Sequence, residues 1–372
     1  MDQEYDALIV GARVAGATLA ILLGDAGYRV LLVDRATFPS PTLSTHYFRG
    51  GRGVTVLKRV GVLDDVLARG CPPLTCQYNY SNGEAEPIVN PTQSPGEIDY
   101  CLSVRRETLD YLLVQRARRC PSITILENTR VTEVLREHGR VVGARLVTPE
   151  GGRDVWAGIT VGADGRRSCI ARAVDAPDEE SDEPCRAVYY CYLHDFPGPG
   201  GKAPDGPEFS RIEDEIAYVF PSDGGVACVA LSVNLPTFRW LRQRPQERFS
   251  ERLAAHRGLA GRFAAATWEG RLLGCGPERN YVRVPVGSGW ALVGDAGMHQ
   301  DPWSGHGIDK ATVHATLLAE ALGEWFTGNT SEQEALAAYH ARRNEDGLAS
   351  YRQTVALAKD LRQLAVGLGT RS

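Results

Sequence analysis

The chain is 372 residues long, 43% hydrophobic and 23% charged, with a formal net charge of −5. That length allows a large core and two interleaved domains. A mildly acidic chain with no basic block gives nucleic-acid binding no support, no apolar run approaches a membrane span, and nine scattered cysteines without a C-x-x-C pair indicate neither a disulfide framework nor a zinc site.

The first apolar run begins within a few residues of Met1, so no signal peptide is expected and a reducing, cytoplasmic setting fits best. Residues 5–10 read as a buried parallel strand. A helix is predicted over 14–26, with Ala15, Leu19, Leu22 and Leu23 at helical spacing and Gly27 as its stop. Residues 29–33 form a second apolar strand closed by Asp34. A strand–turn–helix–strand unit ending in an acid is the layout of a dinucleotide site. In it Gly11 turns the chain tightly, Gly16 lets helix and sheet approach, and the N–H groups of the first helical turn face a pyrophosphate. Asp34 is placed to accept hydrogen bonds from a ribose. The middle glycine of G-x-G-x-x-G is replaced by Arg13, whose guanidinium could lie against phosphate or cover the site.

A turn-rich stretch over 36–51 is expected to run over the surface of a site. Helices follow at 53–60 and 63–68, then an excursion into a second domain over 71–100 with a strand at 75–80. An amphipathic helix covers 103–120. Short strands follow at 122–126, 130–135, 141–148 and 153–157, with hairpin turns at Gly139 and at Gly151 and Gly152. A further apolar strand runs over 155–164. The acidic run 178–183 reads as a solvated loop. Strands at 187–193, 216–220 and 226–235 indicate an antiparallel sheet, and one helix is expected over 245–266. A buried strand at 289–294, a helix at 309–326, and a capping box at Ser331 and Glu334 opening a helical region to about residue 365 complete the chain.

Three glycine-and-acid turns each follow an apolar strand directly: 11–16 with Asp34, 162–165, and 294–307. On these motifs the chain resembles the FAD-dependent monooxygenases of the para-hydroxybenzoate hydroxylase type, over nearly its whole length and most strongly at 5–35, 103–117, 158–171 and 288–322. The resemblance implies an α/β fold. A Rossmann-like, glutathione-reductase-type FAD-binding domain (1–70, 101–185 and 286–330) would be interleaved with a smaller α+β antiparallel-sheet substrate domain (71–100 and 186–285). A C-terminal helical region, 331–372, would follow.

It also implies roles for individual residues. Gly11, Ala12, Gly16 and Asp34 would hold the ADP moiety of FAD, with Arg35 near the adenosine; Arg13 recurs in part of the family. Arg105, favoured over Arg106 ahead of Leu109 and Asp110, would meet the FAD, with Gln115 a lesser candidate. Asp164 would serve both FAD and the nicotinamide donor, and Gly294 with Asp295 would meet the ribityl chain and ribose. Pro302 stops the segment before it, and residues 304–307, including Gly305 and Gly307, open a helix. The N-terminus of that helix would point at the N1–C2=O edge of the isoalloxazine, where fixed N–H dipoles stabilise the anionic reduced flavin.

The implied activity is insertion of one oxygen atom from O2 into a small aromatic or polycyclic substrate through a flavin C4a-hydroperoxide, with electrons from NAD(P)H or by way of a separate flavin reductase. The protein's share would be binding, orientation and exclusion of water. His46 and His306 are the candidates for polar catalytic roles, including a base that deprotonates a phenol, with Pro302 counted beside them and Tyr47 and Trp303 as lining. His138, His194, His256 and His340 read as exposed; Tyr189, Tyr190 and Tyr192 either line a pocket or pack the sheet. His299, His306 and His314 lack the companions of a metal site. Reduction of an isoprenoid double bond on the same scaffold is the main rival. Halogenation is less supported, because no W-x-W-x-I-P element is present and lysines such as Lys58 and Lys310 fall on predicted helices. An FAD-binding protein without turnover is the rival of a different class.

Overall fold

The computed structural model describes residues 4–44, 46–89 and 96–364. Two all-apolar runs nucleate it: residues 7–10 and 30–33 are buried along their whole length, as strands covered on both faces must be. The elements that build the first domain are β1 (Tyr5–Val10), α1 (Val14–Asp25), β2 (Val30–Val33), α2 (Arg106–Arg118), β3 (Ile123–Leu126), β4 (Gly151–Gly162), β5 (Trp290–Leu292), α3 (Gly307–Phe326) and α4 (Glu332–Ala358). Five parallel strands lie in the order β5-β4-β1-β2-β3. Helix α1 is buried on nearly all sides because it is sandwiched between this sheet and helices α2 and α3.

The two strands expected at 153–157 and 155–164 are one. Residues 151–156 of β4 pair antiparallel with Arg140–Thr148, and from Ala157 onward the same strand joins β1. It changes partner without turning.

A second sheet of seven strands runs in the order Thr267–Cys275, Arg186–His194, Ala227–Asn234, Glu215–Pro221, Glu208–Ile212, Cys76–Ser81, Glu84–Val89. Its pairings are antiparallel except for Glu208–Ile212 beside Cys76–Ser81. Period-2 alternation divides its residues. Tyr189, Cys191, Leu193 and Val219 pack under Phe249, Leu253, Leu259 and Phe263. Tyr190, Ile216, Tyr218 and Phe220 face the other way, toward Tyr47 and Trp303 of the first domain.

Four expectations are corrected here. The acidic run is no solvated loop: Asp178–Asp182 is a strand paired with Asn280–Arg283. Its acids meet a cationic row, Arg279, Arg343, Arg352 and Lys359, supplied from far along the chain. The helix expected over 245–266 is two, Pro245–Ala255 and Arg257–Ala265, broken at His256. That histidine is fully buried rather than exposed; its ring lies 2.9 Å from Ser210 Oγ and 3.2 Å from Glu215 Oε1. His340 is half-buried, 2.6 Å from Glu179. The Ser331–Glu334 capping box forms as read. Among the described residues no helix is long and apolar enough to cross a membrane.

Candidate active site

The three glycine motifs meet at the carboxyl ends of neighbouring parallel strands. That is where open α/β sheets bind ligands. Gly11 leaves β1 with φ +107°, and a Cβ there would overlap the Ala163 carbonyl at the end of β4; one on Gly16 would overlap the Gly11 carbonyl. Both positions therefore exclude side chains, which leaves a bare backbone cradle at the first turn of α1. The third motif packs on the first, since a Cβ on Gly294 would lie 2.9 Å from the Ala15 Cβ. Residues nearly 280 positions apart thus share one crevice.

Each motif brings an acid. Asp34 is buried and accepts from the backbone N–H groups of Ala12 (2.7 Å) and Ala36 (2.8 Å). Asp164 accepts from Cys169 N–H at 2.6 Å, while its Oδ1 is buried with no partner among the described residues. The Asp295 side chain is 39% exposed. Burial pushes its carboxyl up, but His299, 3.5 Å away, together with Arg166 and Arg106, holds it below the usual range.

The 300–307 turn forms the opposite wall. Pro302 is exposed and starts a 3-10 turn capped by Asp301, whose Oδ1 accepts from Trp303 N–H at 3.1 Å. Gly305 has φ +73° and faces Tyr47; Gly307, the first residue of α3, is exposed with open space around it. The space beside the first residue of α3 is therefore open. His306 precedes the helix, and burial, then Arg49 and Lys310, lower its pKa to about 3. Behind the turn Arg49 donates to the Ser304 carbonyl (2.8 Å) and, through its backbone, to Asp309 (2.7 Å). Burial raises the Asp309 carboxyl to about 7. The Trp303 indole is anchored, donating to the Thr354 carbonyl of α4 at 2.9 Å.

His46 is 2% exposed and sits at φ +46°. Its Nδ1 lies 2.8 Å from the Ser44 carbonyl, which can only accept, so Nδ1 carries the proton. Nε2 is left as an acceptor, 3.3 Å from the Tyr192 hydroxyl, with the two rings stacked at 5.6 Å. Burial, reinforced by Arg106, drives its pKa to about 3, so this imidazole is neutral.

The two arginines at the start of α2 have different partners. Arg105 reaches across to the second sheet, bonding Asp223 (3.1 Å) and Glu269 (2.7 Å), and its backbone N–H donates to Asp223 at 2.6 Å. It ties the two domains together. Arg106 pairs with the fully buried Asp110 and is the one whose charge acts on both His46 and Asp295. Arg13 shares that carboxylate at 2.7 Å and also donates to Ser40 and Pro41, so it covers the first turn of α1. Arg35 is exposed just beyond Asp34, and Gln115 is half-buried on α2. Arg49 and Asp309 carry no motif; only their neighbourhood in three dimensions singles them out. Among the described residues no three His, Cys, Asp or Glu side chains group as a metal would require.

A bare glycine cradle, a buried acid oxygen without a partner and an open helix N-terminus on one crevice fit a dinucleotide carrying a second ring system. The family model described as the FAD binding domain matches residues 4–205. The chain belongs to that family. FAD is its cofactor, and this flavoprotein is an oxidoreductase of the flavoprotein-monooxygenase kind. It is 27% identical over 359 residues to the 6-methylpretetramide 4-monooxygenase of Streptomyces rimosus, covering 92% of this chain and 80% of that one. It is also 27% identical over 348 residues to digeranylgeranylglycerophospholipid reductase 2 of Methanothermobacter thermautotrophicus, covering 91% and 83%. Among solved structures, the chondrochloren halogenase CndH of a myxobacterium superposes with a TM-score of 0.83 at 21% identity, covering 95% and 82%. PqsL of Pseudomonas aeruginosa, in complex with 2-aminobenzoylacetate, gives 0.81 at 24% identity and 95% of both chains.

Proposed function

We propose that this flavoprotein is a monooxygenase that transfers one oxygen atom of O2 to a small aromatic or polycyclic substrate and reduces the other to water with electrons from NAD(P)H. The observation that carries the reading is the shared crevice, with the 300–307 turn on one side and an aromatic sheet face on the other. The likeness to 6-methylpretetramide 4-monooxygenase over 92% of the chain supports it.

When bound, FAD supplies the oxygen activation. The rest is the chain's own work. Asp34 would take the ribose, and Asp295 the ribityl side. The first turn of α1, covered by Arg13, would take the pyrophosphate, with Arg106 as the further cation. The open N-terminus of α3, through Gly305 and Gly307, would receive the pyrimidine edge. Tyr192, Phe209 and Trp303, each only partly buried, would orient a flat substrate and exclude water. His46 offers a neutral lone pair at Nε2, already aimed at the Tyr192 hydroxyl, which suits it to hold a proton shared with a substrate hydroxyl.

The test is anaerobic mixing of the purified protein with NADH or NADPH in the presence of candidate phenols and polycyclic aromatics. Flavin reduction accelerated by one of them, followed in air by oxygen uptake matched to a product one oxygen atom heavier, is expected. Reduction of a double bond is the second reading, favoured by the similarity to an isoprenoid-lipid reductase; a product two hydrogens heavier, with no oxygen taken up, would establish it instead.

A further inference from the structure

Lys310 is a buried cation held only by neutral groups. It lies in the first turn of α3 and is 8% exposed. Its ammonium donates to Gln300 Oε1 (2.5 Å), to the Gly347 carbonyl of α4 (3.1 Å) and to Met298 Sδ (3.6 Å). Three N–H groups thus meet three acceptors, none of them charged, and a charge kept in the interior on those terms is costly. Gln300 passes the contact forward, its Nε2 donating to Ser304 Oγ and Thr354 Oγ1, each at 3.1 Å. The Lys310–Gln300 bond therefore supports the underside of the turn that leads into the open end of α3.

We propose that the Lys310 ammonium is the positive charge behind α3 that favours the reduced form of the bound flavin, and that through Gln300 it holds the turn on which the pyrimidine edge rests. The inference depends on the reading above, in which the N-terminus of α3 receives that edge. Reduction by two electrons and one proton leaves one negative charge on the N1–C2=O edge. A cation in the adjacent helical turn stabilises that charge, in the same sense as the helix dipole.

By reciprocity, reduction tightens the ammonium's hold on its proton by the same factor. Burial lowers the Lys310 pKa to about 7. The cation is therefore present on the acid side of neutrality and lost on the alkaline side. From α4, Asp346 favours the charge and Arg343 opposes it; Asp295, ahead of the turn, favours it. Asp346 is itself engaged by Arg52 and His314. On α3, burial lowers His306 to about 3 and draws His314 below its usual value against the pull of Asp346, while Asp309 also titrates at about 7.

The experiment measures the midpoint potential of the FAD holoenzyme, photoreduced beside a reference dye, for wild type, K310M, K310R and D309N between about pH 6 and about pH 8.5. Flavin content and apoprotein melting are recorded alongside. At the acid end K310M should lower the ratio of reduced to oxidised flavin at a fixed potential about tenfold, and K310R should restore most of it. The wild-type potential should fall more steeply with pH near neutrality than that of K310M, and D309N should keep the wild-type slope. An unchanged potential in fully loaded K310M overturns the proposal, and so does loss of the slope in D309N, which would assign it to Asp309. If K310M does not fold, the wild-type and D309N series decide: a steep segment kept in both sustains the proposal, and its absence from wild type overturns it. Tight FAD binding by Asp295→Ala would instead refute the reading of the crevice.

Discussion

Asp295 and His46 show how much one side chain owes to its surroundings. Asp295 is kept ionised against burial by His299, Arg166 and Arg106, with 39% of its side chain exposed. Its removal should therefore cost flavin rather than fold. Asp295→Ala is expected to weaken FAD binding about tenfold or more while the apoprotein melts as before; a flavin fluorescence titration beside a melting curve checks both. His46 and His306 are neutral in the fold, with pKa values driven to about 3 from the ordinary 6.5. Between those values the unfolded chain binds more protons, so stability present above about pH 6.5 is lost as the pH falls toward 3. Asn tolerates the left-handed backbone that His46 adopts. His46→Asn should therefore fold, cost about 1 kcal/mol near neutrality, and give a shallower acid limb in a plot of melting temperature against pH.

At the scale of elements, the N-terminus of α2 is secured by a residue from the other domain. Asp223, nearly fully buried, accepts from the Arg105 backbone (2.6 Å), the Arg105 guanidinium (3.1 Å) and the Thr108 hydroxyl (2.7 Å). The capping box of α4, by contrast, lies in solvent. Asp223→Ala, which removes the acceptor of three bonds at this helix start and leaves Arg105 with Glu269, should destabilise by about 2 kcal/mol, and Ser331→Ala by much less. Chemical denaturation of the two variants tests the order, and equal losses would contradict it.

Across the whole molecule, α4 braces the third glycine motif from behind. Tyr339 donates to the Leu292 carbonyl (2.9 Å), Arg343 to that of Gly297 (3.2 Å), and the Thr354 carbonyl takes the Trp303 indole. Beyond the helix, Leu361 enters the aromatic cluster of the second sheet, and Arg211 donates to its carbonyl at 2.9 Å. Removing everything after residue 330 should leave a chain that holds no flavin and aggregates, because Gly294–Gly307 loses its backing and buried aromatic surface is uncovered. Size-exclusion chromatography with an absorption spectrum would report it.

The sequence by itself determined the parts whose physics is local. Glycines where a Cβ has no room, an acid closing a strand, apolar runs buried on both faces and a capping box each act within a few residues, so the turn at Gly11 and Gly16, the strand end at Asp34 and the start of α4 could be read directly. Only the tertiary structure decided which of two adjacent arginines pairs with the buried Asp110 and which bridges to Asp223 and Glu269. It also turned an acidic run into a strand, by bringing Arg343, Arg352 and Lys359 to its edge from 164 to 177 residues away. Charge and hydrogen-bonding capacity belong to the residue, but the partner that gives them a role arrives from elsewhere in the chain. Lys310 is the clearest case: one helical lysine in the sequence, and in the fold a buried cation behind the site.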